Sequence, residues 1–289
     1  MKKLRTFAVS MIVAALGLLI YCGGFFIRSY KQNLAAKQGY EEIADIAVTA
    51  EKENKKDLNR KTKDVQDMSD TQDKDASEKK KRKKNRKYSN EADKIRESFG
   101  ISWENLRKIN SQVVSWITIP GADISYPVVQ GPDDEYYLKH NFKKEEDLFG
   151  CIFLEHSNKK NLMDSHSILY GHNIEGNMMF ANLNRYENPK FLKECPQIEI
   201  ATPERKFLYR IFSVEQASPQ SAAFACGYEV SSPAYKLQLQ KMKDNSMYDT
   251  GIEPDASRTA VTLITCNSRL DKEIRMAVHG TCYEILETE

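Results

Sequence analysis

Residues 88–289 predict a mainly β fold, a closed barrel or a sandwich rather than a wound α/β sheet, and three observations carry that prediction. Short runs rich in β-branched and aromatic residues recur along this part of the chain, with Gly, Pro, Asn and Asp between them. Helical patterning is confined to its start and to two later stretches. Everything before residue 88 is compositionally foreign to a packed domain, which leaves 202 residues for one substantial core.

The chain opens on a short basic tail, residues 1–5, expected to be cytoplasmic. Residues 6–27, TFAVSMIVAALGLLIYCGGFFI, then carry no charge between Arg5 and Arg28. At about 1.5 Å per residue such a helix is long enough to cross a hydrocarbon layer of roughly 30 Å. The run exceeds the roughly 7–15 apolar residues of a cleaved signal, and no small-x-small site stands directly behind it, so the expectation is an uncleaved transmembrane signal anchor. Lys2, Lys3 and Arg5 nearly balance Arg28, Lys31 and Lys37, so charge alone does not orient it.

Residues 28–87 read as a charged linker. From 51 to 87 there are 24 charged residues and only Leu58, Val65, Met68 and Ala76 to set against them, too little apolar surface to offset the entropy of ordering. This stretch is therefore expected to be disordered. It ends in EKKKRKKNRK at 78–87, which suits a tether near an anionic surface better than a nucleic-acid site. Lysine and arginine exceed aspartate and glutamate by three in residues 1–50 and by six in 51–87. Since the whole chain is +2, residues 88–289 carry −7, a balance that repels nucleic acid.

Within 88–289, EADKIRESFGISWENLRKIN at 91–110 has apolar residues spaced for one or two helices broken near Gly100. Strands are expected at 113–119 (VVSWITI), 124–130 (ISYPVVQ), 151–154 (CIFL), 167–170 (SILY), 206–214 (KFLYRIFSV), 260–265 (AVTLIT) and 274–280 (IRMAVHG). A short helix is expected near 177–183. Another opens at Ser232-Pro233, where serine can cap and proline fits the first turn, and runs to about Lys243.

Cys22 lies in the apolar span, leaving Cys151, Cys195, Cys226, Cys266 and Cys282 in the globular part, so at least one is unpaired within the chain. No C-x-x-C pair suggests a metal or redox site, and most of these cysteines read as small buried hydrophobes. Cys266, at the end of VTLITC, is the candidate nucleophile. A thiol reacts as its thiolate, so it needs a base or a cation nearby. His140 and His156 sit in charged, loop-like contexts, His166 reads as a turn residue before a strand, and His279 as a strand end at a rim. His172 follows the apolar SILYG and precedes the loop NIEGNMMF, where a scaffold can present a side chain, which puts it modestly ahead of His166. Arg275, nine residues past Cys266, could return on a hairpin to supply donors to an oxyanion, whereas Arg269 lies mid-loop.

Thr262–Cys266, TLITC, resembles the T-L-x-T-C motif of sortases, the membrane-anchored cysteine transpeptidases of Gram-positive bacteria, and Tyr170-Gly171-His172-Asn173 is similar to the segment bearing their histidine. The resemblance covers roughly residues 95–286 and is of the class B kind, through residues 109–130, 171–186 and the helix at 232–243. Without an apolar span after the domain or an Asp-Pro-aromatic lid, class C is less similar. The resemblance implies a closed β-barrel with N-terminal helices and a helix inserted between late strands. It implies Cys266 as nucleophile, His172 as acid/base and Arg275 as stabiliser of the substrate carbonyl and oxyanion. Asp133-Asp134-Glu135-Tyr136-Tyr137-Leu138 is the nearest match to the groove segment D-N-x-x-Y-L, so Leu138 carries over as a substrate contact while Asp134 departs from asparagine. Thr265 and Ile264 are further candidate groove residues, Ile264 being apolar where a small polar residue is common in the family.

The partners implied are secreted proteins bearing a C-terminal sorting signal, cleaved after threonine, and an amine of lipid II or peptidoglycan. The protein would be single-pass in the cell membrane, with the N-terminus cytoplasmic and the catalytic domain extracellular. No cofactor is implied, and no cluster of carboxylates suggests a metal. Two other readings stay open: a cysteine peptidase that passes the acyl group to water, and a tethered binding module in which Cys266 is a core residue.

Overall fold

A computed structural model describes residues 2–64, 99–174, 178–266 and 274–288. The chain divides into two compact units, residues 1–42 and 43–289. Helix α1, Lys2–Asp64, contributes to both. In the first unit its large hydrophobic side chains, Leu18, Leu19, Ile20, Phe25 and Phe26 among them, are exposed. Among the described residues, no helix is long and apolar enough to cross a membrane, so the structure lends no support of its own to the spanning anchor expected at 6–27. The side chains of residues 2–10 and 12–14 lie outside the described set.

α1 also runs through 28–64, and so into 51–64, the first part of the stretch expected to be disordered. Charge was the wrong guide there, because it limits burial without forbidding helix. Ile43 and Ala47 are buried, and Ser102 donates its N–H to Ala47 O at 2.8 Å. The rest of the linker, 65–87, and the start of the helical stretch expected at 91–110 lie outside the described residues, which resume at 99. Helix α2, Trp103–Ile109, follows a break at Phe99 and Gly100, both of positive φ, close to where the glycine predicted it.

Eight strands then close into a barrel. β1 (Val113–Ile119), β2 (Ile124–Val129), β3 (Ile152–Leu154) and β4 (His166–Tyr170) fall on the expected segments. A two-stranded hairpin of β5 (Asn173–Ile174) and β6 (Met178–Met179) stands apart from the barrel. A 3-10 helix at Ala181–Glu187 takes the place of the helix expected at 177–183, and helix α3 (Pro189–Glu194) follows it. β7 (Gln197–Ala201) and β8 (Arg205–Ala217) form a hairpin, helix α4 (Pro233–Asp244) crosses over, and β9 (Ala260–Cys266) and β10 (Arg275–Glu287) finish the chain. The order around the barrel is β1-β2-β3-β4-β9-β10-β8-β7, with β7 returning to β1. Two pairings are parallel, β2 with β3 and β4 with β9; the other six are antiparallel.

α4 starts as its sequence dictates: Ser232 accepts from Tyr235 N, and Pro233 occupies the first turn. Its buried face, Tyr235, Leu239 and Met242, packs on Phe212 and Ala260. Beside it, Ile168, Ala217, Ala223, Ile264 and Ala277 form a second cluster, with Tyr170, Phe224 and Cys226 against its edge. These clusters cover the strands β4, β9, β10 and β8.

Candidate active site

β4 and β9 run parallel, with Tyr170 opposite Ile264, and Gly171 N continues the ladder to Ile264 O at 3.1 Å. Two residues past that pair, one strand reaches His172 and the other Cys266. On the other side of β9, the antiparallel register pairs Cys266 with Arg275. Three consecutive strands therefore deliver His172, Cys266 and Arg275 to one end of the barrel, with Cys266 on the middle strand. Backbones of neighbouring strands lie about 4.8 Å apart. Arg275 is half-buried and its main chain also pairs with Ala217 on β8. The side chain of Cys266 and the whole connection 267–273, where Arg269 sits, lie outside the described residues.

His172 is half-buried, and its Nε2 stands 2.8 Å from the carbonyl oxygen of Leu138. Leu138 ends a short 3-10 turn, Tyr136–Leu138, and is partly exposed at the rim of this site. Thr265 and Ile264, expected to contact substrate, are each 1% exposed. Central strands covered on both faces leave them no open surface, so they pack beneath the site, and Leu138 alone of the three reaches solvent.

His156 is exposed in a turn, as its charged context suggested, but two other histidines do not stand where the sequence placed them. His166 is the first residue of β4 rather than a turn residue, and it is fully buried. Its Nδ1 lies 2.7 Å from Ala225 O and its Nε2 2.6 Å from Thr262 Oγ1. His279 is in the middle of β10 rather than at a rim, also fully buried, with Nδ1 2.8 Å from the same Thr262 hydroxyl and Nε2 3.6 Å from Glu215 Oε1. Burial on its own would raise the Glu215 carboxyl; the neighbouring His279 ring and the hydrogen bond from Ser221 hold it below its ordinary value. This polar row fastens the segment after β8, through Ala225 and Ser221, to the sheet that carries Cys266.

A second network lies at the end of β3. Asp134 accepts from His156 N at 2.8 Å and pairs with His156 Nδ1 at 2.7 Å, while Glu155 stands 3.0 Å from the same nitrogen and accepts from Tyr170 OH at 2.9 Å. Burial and the neighbouring Asp134 raise the Glu155 carboxyl, and Asp134 raises His156. Asp134, Glu155 and His156 each place a ligand atom within 4.8 Å of the others. Sequence reasoning passed over this trio because 21 positions separate Asp134 from Glu155. Cys151, Cys195 and Cys282 are buried, as small apolar residues would be, and Cys226 is half-buried.

A family model described as "Sortase domain" matches residues 117–282. The chain is 31% identical over 177 residues to sortase B of Listeria monocytogenes, covering 61% of this chain and 72% of that protein. It is 27% identical over 192 residues to sortase B of Staphylococcus aureus, covering 66% and 78%. Among solved structures, Clostridium perfringens sortase B superposes with a TM-score of 0.59 at 30% identity, covering 63% of this chain and all of the other.

Proposed function

The chain belongs to the sortase family, class B, whose members are cysteine transpeptidases, and from that premise we propose how this chain performs the reaction. The Cys266 thiolate attacks the carbonyl carbon that follows threonine in a C-terminal sorting signal, Arg275 donates to the oxyanion that forms, and His172 protonates the departing amine. The thioester on Cys266 then meets an amine of lipid II or peptidoglycan. His172 takes the proton of that amine as the C–S bond breaks and the thiolate is regenerated. The observation that carries this reading is the register of β4, β9 and β10, which sets His172, Cys266 and Arg275 side by side.

The substrates proposed are secreted proteins carrying such a signal, with Leu138 lining the groove that reads it. Membrane attachment through residues 6–27 is part of the proposal, supported by the absence of charge between Arg5 and Arg28 and by the exposed Leu18, Leu19, Ile20, Phe25 and Phe26. The N-terminus would then be cytoplasmic and the barrel extracellular. Incubating the full chain in detergent with peptides of the NPxTx and LPxTG kinds, with and without an added amine, tests the reaction class. Product capped by the amine is expected. Cleavage that yields only the hydrolysed peptide at every amine concentration would make the protein a peptidase.

A further inference from the structure

The proposed chemistry gives His172 a proton to release and to recover, and the structure distinguishes its two ring nitrogens. Nε2 lies 2.8 Å from Leu138 O. A carbonyl oxygen has only lone pairs, so this bond exists only while Nε2 carries a hydrogen. We infer that the Leu138 carbonyl, given its position by Gly150, locks His172 with the hydrogen on Nε2, so that Nδ1 is the nitrogen that exchanges the proton. The inference rests on the reading of His172 as the acid/base. In the neutral ring Nδ1 then holds the lone pair; in the imidazolium both nitrogens are protonated and only the Nδ1 proton is free to leave. As the tetrahedral intermediate collapses, the Nδ1–H bond breaks, the proton goes to the amine nitrogen, and the C–N bond breaks. In the second half, the Nδ1 lone pair takes a proton from the attacking amine while the C–S electrons return to sulfur. Nε2–H stays in place throughout.

The carbonyl is held from several sides. Tyr137 is fully buried, donates to Gln112 Oε1 at 2.6 Å and accepts from Asn110 Nδ2 at 2.9 Å, and its own carbonyl receives Cys151 N at 2.9 Å. Asp133 Oδ1 accepts from Glu135 N and Tyr136 N, fixing the start of the turn, and Asp147 N bonds Lys139 O just after it. Gly150 supplies the space. Its φ is +56°, and a Cβ there would lie 2.5 Å from Tyr137 O, 3.0 Å from Leu138 O and 3.1 Å from His172 Cδ2, the ring carbon next to Nε2. A side chain at 150 must displace the Tyr137 carbonyl and presses on both the Leu138 carbonyl and the His172 ring. Leu138, through its backbone, and Gly150 are thus positioning residues in the sense that an orienting carboxylate is in other nucleophile–base pairs, except that this orienter cannot ionise.

The test uses the full chain labelled with 15N-histidine. Long-range 1H–15N correlations, with His172 assigned by its loss in His172→Gln, are expected to show a neutral ring protonated on Nε2; protonation on Nδ1 overturns the inference whatever the enzyme does. Gly150→Ala is expected to mix the tautomers and to lower kcat about 100-fold, the scale of a 1 Å misplacement, with KM within about twofold. A folded Gly150→Ala protein with the parental tautomer and kcat overturns the part assigned to Gly150. Should that variant fail to fold, Nδ1-methylhistidine at 172 decides: turnover at the His172→Gln level supports the inference, and retained turnover overturns it. An active His172→Gln protein would instead refute the acid/base role itself, leaving the tautomer to be read from the spectra.

Discussion

Acid should loosen the barrel through His166, and the size of the effect follows from its surroundings. The ring is fully buried between Ala225 O and Thr262 Oγ1, and the Thr262 hydroxyl is shared with His279 Nδ1. With its hydrogen on Nδ1, the neutral ring satisfies the carbonyl, accepts from Thr262, and leaves the Thr262 oxygen to accept from His279. A second proton would face the Thr262 hydroxyl at a site closed to solvent. Burial, opposed by the bond to Ala225 O and reinforced by His279, pushes the pKa down to about 4 from 6.5. Between those values the unfolded chain binds more protons than the folded one, so stability is full above about pH 6.5 and is lost as pH falls toward 4. From pH 7 to pH 4.5 the loss from this one group is about 2 kcal/mol. Asp133 and Asp255, held low by hydrogen bonds from Tyr136 and Ser257, lose stabilisation in the same direction, and His156, raised by Asp134, opposes them. These contributions are common to wild type and His166→Gln. Urea unfolding of both proteins at pH 7 and 4.5 should therefore show a fall for wild type that is larger by about 2 kcal/mol, about 1 M in midpoint at an m-value near 2 kcal/mol/M. Equal falls would refute the account of His166 as a buried neutral ring.

Gly280→Ala should cost about 1–3 kcal/mol, because its Cβ would lie 2.8 Å from Tyr209 Cβ and 3.2 Å from Val261 Cγ1 with no flexible end to yield; a thermal melt checks it. Tyr235→Phe removes the one O–H that Ser165 O at 2.6 Å and Arg258 O at 3.1 Å share, from a fully buried ring, and should cost about 1 kcal/mol or somewhat more in urea. Arg275→Ala should lower kcat by about 10²–10³-fold with a smaller effect on KM if it donates to the oxyanion; a rise in KM at constant kcat would assign it to ground-state binding.

Most of the barrel was legible because its strands are half- or fully buried and carry the residues that suit a pleated surface: VVSWITI is β1 residue for residue. The strand missed outright, QIEIA at β7, has five residues and alternates isoleucine with polar neighbours on its exposed side. Helix α3 was missed although Asn188-Pro189 repeats the cap-and-proline start that revealed α4, because only six residues follow it. β10 runs to Glu287 rather than stopping at Gly280; its end pairs with the start of β8 and leaves Ile285 and Leu286 exposed, so no inside–outside alternation marks the continuation. The site was legible as residue types and not as geometry. Cys266 and Arg275 are joined by a hairpin that spacing suggests, whereas His172 reaches Cys266 only through a parallel pairing of strands some 90 positions apart. The partner of His172 is a backbone carbonyl, which has no residue type to read, and the partners of His166 are 59 and 96 positions away.

The most direct measurement of the proposed reaction is the intact mass of the full chain mixed with a cleavable sorting peptide and quenched during turnover, followed by peptide mapping. The expected result is an acyl group on Cys266, absent from Cys266→Ala and discharged when an amine is added. Cleavage that proceeds with no acyl group on Cys266, or with one on Cys226 instead, would contradict it.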